Sequence, residues 1–153
     1  MQSTDTIVEL FRQQGLRITP QRRAIFELLA QGNGHPTAEE IYQRVLSVMP
    51  DVSRTTVYNT IHELLTLGEL VEVEELSAAG TRYDTNTNKH HHLLCLRCKK
   101  LLDIDRDFEG LDLSPEEASG YQIVRRQVTF YGYCSQCQAE QRSTGGAPRR
   151  MKT

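Results

Sequence analysis

Through the first 66 positions, apolar residues recur every three or four places, in four runs divided by capping and turn residues. Ile7, Val8, Leu10 and Phe11 fall close to one face of a helix over residues 5–14, and Gly15 ends it. Thr19-Pro20 opens a second helix, with threonine as N-cap and proline at the first helical position, where no N–H is needed. Its apolar face is Ala24, Ile25, Leu28 and Leu29, and Gly32 and Gly34 close it. Thr37-Ala38-Glu39-Glu40 is a capping box ahead of Ile41, Val45 and Leu46. Ser53 caps a fourth helix, 53–66, with Val57, Ile61, Leu64 and Leu65 inward, and Gly68 sits where a C-cap glycine belongs.

After Gly68 the pattern becomes strand-like. Leu70–Glu74 alternates, a turn is expected around Ser77–Gly80, and Thr81–Asp84 makes a second short strand. Helices followed by such a hairpin describe a winged helix-turn-helix, although a plain helical bundle with a polar solvated face fits the same pattern. In the winged arrangement the helix at 53–66 enters the major groove, its N-terminal residues nearest the bases. Arg54, Thr55, Tyr58, Asn59 and His62 point outward there and offer donors, a methyl group and an aromatic edge. Arg17 and Arg22 complete the candidate DNA contacts with Arg54, Thr55, Tyr58 and Asn59. Residues 89–133 are mostly β-prone. His90–Leu96 and Leu101–Ile104 read as strands, Ser114-Pro115-Glu116-Glu117 as the start of a short helix, and Tyr121–Tyr133 as a long strand. The expected organisation is a winged-helix domain over 1–84, a hinge at 85–88, a second domain over 89–140, and a tail at 141–153. That tail carries Arg142, Arg149, Arg150 and Lys152; it is expected to be disordered and to add nonspecific phosphate attraction.

A chain of 153 residues holds one ordinary domain or two small ones. No stretch approaches the roughly 18 apolar residues of a membrane span. Asp5 and Glu9 interrupt any signal segment, so a cytoplasmic location without membrane association is expected. Net charge is -2, and residues 1–66 hold six arginines against seven acids. DNA contact must therefore rest on a local arrangement of arginines, not on a basic domain.

All four cysteines lie in two Cys-x-x-Cys pairs, Cys95/Cys98 and Cys134/Cys137, separated by 35 residues. In a reducing cytosol such pairs read as metal ligands; a secreted protein with two disulfides is the competing reading. Four thiolates close a tetrahedral structural Zn(II) site, one per chain, and a small domain gains much from such a staple. Just ahead stands His90-His91-His92. On a strand, His90, His92 and Leu94 point one way and His91, Leu93 and Cys95 the other. His90 and His92 can thus converge on a second ion while Cys95 serves the first, and His91 faces away. Asp84, Asp103 and His35 are further candidate ligands. Imidazole and carboxylate donors without thiolate favour Fe(II), Mn(II) or Zn(II) over Cu(I). A ligand set drawn from both halves would tie their orientation to metal occupancy.

Six segments carry a specific resemblance. They are Gly15–Arg22, His35–Tyr42, Ser53–Tyr58, Arg82–Asp84, His90–Cys95 and Tyr131–Cys134. Together they make roughly residues 5–138 resemble the ferric uptake regulator (Fur) family. The resemblance implies an α+β fold: a winged helix-turn-helix followed by a small α/β dimerisation domain stapled by a four-cysteine zinc site. It implies a homodimer that represses from AT-rich palindromic double-stranded DNA when loaded with one regulatory Fe(II) or Mn(II) per chain, held by His35, Asp84, His90, His92 and Asp103. Aspartates stand at 84 and 103 where iron-uptake regulators usually have glutamates, which resembles the peroxide-stress (PerR) type. Arg126 stands where many members place a histidine of a third site, so that site is expected to be absent. Thr55 and Asn59 depart from the commonest recognition helix, where alanine and arginine are frequent, which implies a different operator sequence. The resemblance further implies that peroxide oxidises His35 or His90 in an iron-catalysed, stoichiometric reaction, so the protein is not an enzyme. An iron- or manganese-responsive uptake repressor is the alternative. A metal-dependent hydrolase is a competing class, for which H-E-x-x-H and a Gly-rich phosphate loop are missing, and a zinc-stapled module that binds protein is another.

Overall fold

A computed structural model describes residues 1–32, 34–73 and 80–143. Glu74, the turn expected at 77–79 and the tail from 144 onward lie outside the described residues. The chain divides into two compact units, Met1–Asn88 and Lys89–Thr153.

The first unit contains α1 (Thr4–Gln13), α2 (Pro20–Gln31), α3 (Ala38–Leu46), α4 (Arg54–Thr66), β1 (Val71–Val73) and β2 (Arg82–Asp84). Each helix starts on a hydroxyl cap: Ser3, Thr19, Thr37 and Ser53 accept the N–H groups of Thr6, Arg22, Glu40 and Thr56. At Thr37 the box closes, because the Glu40 carboxylate accepts the Thr37 N–H at 2.8 Å. Each cap satisfies an otherwise orphaned donor, and losing one costs about 1 kcal/mol. Gly68 lies at φ +72°; its N–H bonds Leu65 and that of Glu69 bonds Leu64, so α4 ends in a Schellman turn that turns the chain into β1.

Ile7, Phe11, Ile25, Phe26, Ile41, Val45, Val57, Ile61 and Leu64 form the centre of a helical core. Phe26 lies edge-on to Phe11 at 4.8 Å between ring centres. The core face of α2 is therefore rotated from the expected one: Ile25, Phe26 and Leu29 are buried, whereas Ala24 and Leu28 are half-covered. Leu65 and Leu46 are likewise only partly buried, and Thr60 takes an inward position on α4. Its hydroxyl donates to the Thr56 carbonyl at 2.7 Å, which makes burial of that polar side chain tolerable. β1 and β2 pair antiparallel, Val71 opposite Asp84 and Val73 opposite Arg82, and complete a winged helix.

The second unit contains β3 (His91–Cys95), β4 (Leu101–Ile104), β5 (Thr129–Gly132) and α5 (Ser135–Ser143). Its sheet runs β4-β3-β5, antiparallel between β3 and β4 and parallel between β3 and β5. The stretch from Ser114 does not become a helix. Ser114 and Glu117 exchange the two bonds of a helix start, but Ser119 and Gly120 adopt φ 49° and 84°, which ends it after one turn. The long strand 121–133 shrinks to Thr129–Gly132, because β3 offers ladder partners only from His92 to Cys95. Residues Tyr121, Ile123 and Val124 are exposed. Finally, residues after Cys134 form helix α5, which takes in Gln141–Ser143 of the expected disordered tail.

Candidate metal centres and nucleic-acid face

The first Cys-x-x-Cys pair sits in the turn between β3 and β4. The Cys95 N–H bonds the Lys100 carbonyl at 2.9 Å, and Lys99 closes the turn at φ 61°. The second pair follows β5 directly, with Cys134 ahead of α5 and Cys137 in its first turn. Cys95 pairs with Gly132 in the parallel ladder, so strand pairing brings the two halves of the site together. Ligand atoms of all four cysteines lie within 4.8 Å of one another, and all four are free thiols. A tetrahedron with Zn–S of about 2.3 Å has edges of about 3.8 Å. Cys98 Sγ and Cys134 Sγ lie 3.7 Å apart, a zinc-site edge and far from a disulfide bond.

The thiols differ electrostatically. Burial raises the Cys95 pKa, but N–H groups of Cys134, Cys98 and Arg97 outweigh it and draw the group down to about 6. Burial and the three neighbouring sulfurs push Cys137 up to about 12. Arg97, inside the first pair, donates to the Cys137 carbonyl at 3.1 Å and pairs with Glu140 at 3.3 Å, which ties that turn to α5.

Within the second unit, His90 Nε2 and His92 Nε2 approach to 2.9 Å. Asp103 Oδ1 lies 3.8 Å from the first and 3.6 Å from the second. The β3–β4 register sets this convergence by placing Asp103 opposite His92. Two imidazole nitrogens and a carboxylate oxygen aimed at one point suit a borderline or hard divalent ion such as Fe(II) or Mn(II). His91 takes the other face. Its Nδ1 accepts the Val128 N–H at 3.0 Å, its Nε2 faces Asp107 at 3.9 Å, and its ring packs on Phe108 at 4.9 Å.

Within the first unit, His35 Nε2 and Asp84 Oδ2 lie 3.5 Å apart, both buried. The segment before α3 is held alongside β2: Tyr83 N–H bonds the Pro36 carbonyl at 2.9 Å and Arg82 bonds the His35 carbonyl at 2.7 Å. Asp84 Oδ1 accepts the Asn86 N–H at 2.7 Å, which turns Oδ2 toward His35.

Arg126 pairs with Asp107 at 3.4 Å and with Asp112.

The candidate DNA residues lie on the first unit. Arg54, Thr55, Tyr58 and Asn59 are exposed at the start of α4, and Arg17, Arg22, Thr55 and Asn59 line one open cleft. The arginines differ in freedom. Arg22 donates to the Arg17 carbonyl at 2.8 Å and to Glu63 at 2.7 Å, which commits it to the fold. Arg54 makes a two-pronged pair with Glu39 at 2.9 and 3.1 Å and lies over Tyr42 at 4.3 Å. Its hydrogen bond, followed by that of Gln43, holds the Glu39 carboxyl below the usual range, and the same pair raises Arg54. Glu39 was absent from the expected contact set; its position in the first turn of α3 gave no sign that it faces α4.

Residues 13–131 match the Ferric uptake regulator family. The chain is 33% identical over 128 residues to the peroxide-responsive repressor PerR of Staphylococcus aureus, covering 83% of this chain and 86% of that protein. Among solved structures, PerR from Streptococcus pyogenes is 31% identical with a TM-score of 0.52, covering 90% of this chain and 95% of that one. The Helicobacter pylori Fur, a protein with three functional metal binding sites, has a TM-score of 0.69 at 20% identity, covering 90% and 95%, and supports the fold. Members of the family are dimeric, DNA-binding, metal-responsive transcriptional regulators. The sulfur set fits one structural Zn(II), and His90, His92 and Asp103 of the second unit suit a regulatory divalent ion such as Fe(II) or Mn(II). With most of its length matched by the family and by close relatives, the chain belongs to the ferric uptake regulator family.

Proposed function

We propose that this protein is a metal-dependent repressor that senses peroxide. The observation that carries the reading is a regulatory donor set made of histidine and aspartate, without thiolate, in a chain whose relatives are named peroxide-responsive repressors. One ion would take His90, His92 and Asp103 from the second unit and His35 and Asp84 from the first. Asp84 and His90 are six residues apart in sequence, so a short stretch of chain joins the two groups. Such shared ligation makes the ion prefer one arrangement of the units, and it shifts the population by its differential affinity for that arrangement.

Fe(II) held there would supply the redox chemistry by which peroxide gives one oxygen to an imidazole carbon and loses the other as water; Mn(II) would support DNA binding without that chemistry. His35 and His90 are the proposed sites of oxidation. An oxidised imidazole is a poorer nitrogen donor, so metal affinity falls and the DNA-binding arrangement is lost. The metal-loaded protein binds an AT-rich palindrome as a homodimer, through Arg17, Arg54, Thr55, Tyr58 and Asn59, with Arg22 supporting the loop at Arg17. Arginine and asparagine donors suit phosphates and base edges, Thr55 offers a thymine-compatible methyl, and Tyr58 an aromatic edge.

Anaerobic Fe(II) loading followed by equimolar peroxide tests the reading. Loss of DNA binding, with one added oxygen on the peptide bearing His35 or His90 and none with Mn(II), is the expected result. Retained binding and unmodified histidines would instead mark an iron- or manganese-responsive uptake repressor.

A further inference from the structure

We propose that Met1, Gln2 and Ser3 form a strap, clasped by the buried Glu69 carboxylate, that holds Asp84 in position for the regulatory ion. The inference rests on Asp84 being a ligand, as proposed above. Glu69 is 5% exposed and is not among the donors of either metal centre. Both its oxygens are bonded by one residue. Gln2 donates its backbone N–H to Oε2 at 3.0 Å and its side-chain amide to Oε1 at 2.8 Å. Hydrogen bonds to a carboxylate are stronger than those between neutral groups. Opening the clasp would strip a buried charge of two donors, so the strap is held down.

The strap reaches Asp84 through the end of the β1–β2 ladder. Val71 pairs with Asp84, the last residue of β2, so the ladder's support stops there. Glu69 stands two residues before Val71, its N–H fixed on the Leu64 carbonyl at 2.9 Å where α4 ends. Thr85 follows Asp84, and its carbonyl accepts a hydrogen bond from the Met1 nitrogen. Residues 84–86 are therefore gripped twice: at the Thr85 carbonyl by the strap, and at the Asn86 N–H by Asp84 Oδ1 at 2.7 Å. The second grip turns Asp84 Oδ2 toward His35, and it holds only while the backbone after Asp84 stays where the strap keeps it.

The Met1 side chain packs against the helical core, and Ser3 caps α1, so both ends of the strap are seated. A segment that merely covered apolar surface would need only the Met1 side chain. Burying a carboxylate is costly, and here it adds direction. The two-point bond at Glu69 fixes the register of the strap, and with it the place of the donor to Thr85.

The test uses full-length, zinc-containing protein. Amide hydrogen exchange over residues 82–88 is read without Mn(II), and Mn(II) affinity by chelator competition. Gln2→Glu sets one carboxylate against another and opens the clasp. It is expected to speed exchange in that segment and to weaken Mn(II) binding about 3- to 10-fold, as the fraction of molecules with Asp84 in place falls. Combining Gln2→Glu with Glu69→Gln restores a donor–acceptor pair in the reverse sense, and both readings return to those of the parent. That rescue separates positioning from a merely structural role, because a general loss of stability would persist in the double variant. Unchanged exchange in Gln2→Glu overturns the clasp, and so does a double variant that recovers neither reading. Faster exchange with unchanged Mn(II) affinity, beside a large loss in Asp84→Ala, overturns the positioning and leaves the ligand reading intact. Unchanged affinity in Asp84→Ala removes the ligand reading, and the inference with it.

Discussion

Cys95 and Gly132 face one another across the parallel β3–β5 ladder, and Cys134 follows two residues later. This pairing brings the sulfurs together, and the Cys134 N–H points at Cys95 Sγ, 3.3 Å away. Zinc therefore cross-links the turn after β3 to the start of α5. Cys98→Ser is expected to abolish stoichiometric zinc and to lower the melting temperature by on the order of 10 °C. Metal analysis and calorimetry of the reduced protein check this.

The unequal thiols predict how the zinc-free, reduced protein responds to pH. Cys95 has a folded pKa of about 6 against an ordinary 9.0, so its stabilising contribution is full above pH 9 and is lost as pH falls toward 6. Cys137 has the opposite sign. Its folded value of about 12 means a contribution present below pH 9 and lost as pH climbs toward 12. Urea midpoints across pH 6 to 11 should rise and then fall, with the rising limb missing in Cys95→Ser.

Neighbouring histidines on β3 should separate cleanly. His92 converges with His90 and Asp103, whereas His91 is occupied by Val128 and Phe108. His92→Ala is expected to weaken Mn(II) binding by about 100-fold or more, and His91→Ala by less than about threefold. Equilibrium Mn(II) titration of the zinc-loaded variants decides it.

Glu39 holds Arg54 with the two-pronged geometry that a phosphate would use. If Arg54 is a DNA contact as proposed, a phosphate would have to displace this carboxylate to engage the guanidinium. Glu39→Gln should strengthen operator binding about two- to fivefold, the scale of an exposed ion pair. Arg54→Ala should reduce the slope of log K against log salt by about one. Arg22→Ala should destabilise the first unit and leave that slope alone, since Arg22 is spent on Arg17 and Glu63. Fluorescence anisotropy over a salt series reads all three.

Phe26 fills the helical core against Phe11. Phe26→Ala should cost about 3–5 kcal/mol and lower the denaturation midpoint of the first unit. Leu28→Ala, at a half-covered position, should cost clearly less.

Local chemistry was enough to read the four N-terminal helices, their caps and the hairpin, because caps and apolar spacing act within a few residues of chain. The donor residues were legible for the same reason: Cys-x-x-Cys and the i, i+2 histidines state their geometry at short range. Pairing between distant segments was not legible. The parallel partnership of β3 with β5, which unites the cysteines, joins segments nearly forty residues apart and leaves no periodic mark on either. The same holds for the rotated face of α2, chosen by the fit of Phe26 against Phe11, and for Glu39 against Arg54 and Gln2 against Glu69. The sequence by itself determined which elements form and which side chains can bind metal. Tertiary structure decided which of those side chains meet, since register and packing depend on contacts between residues far apart in the chain.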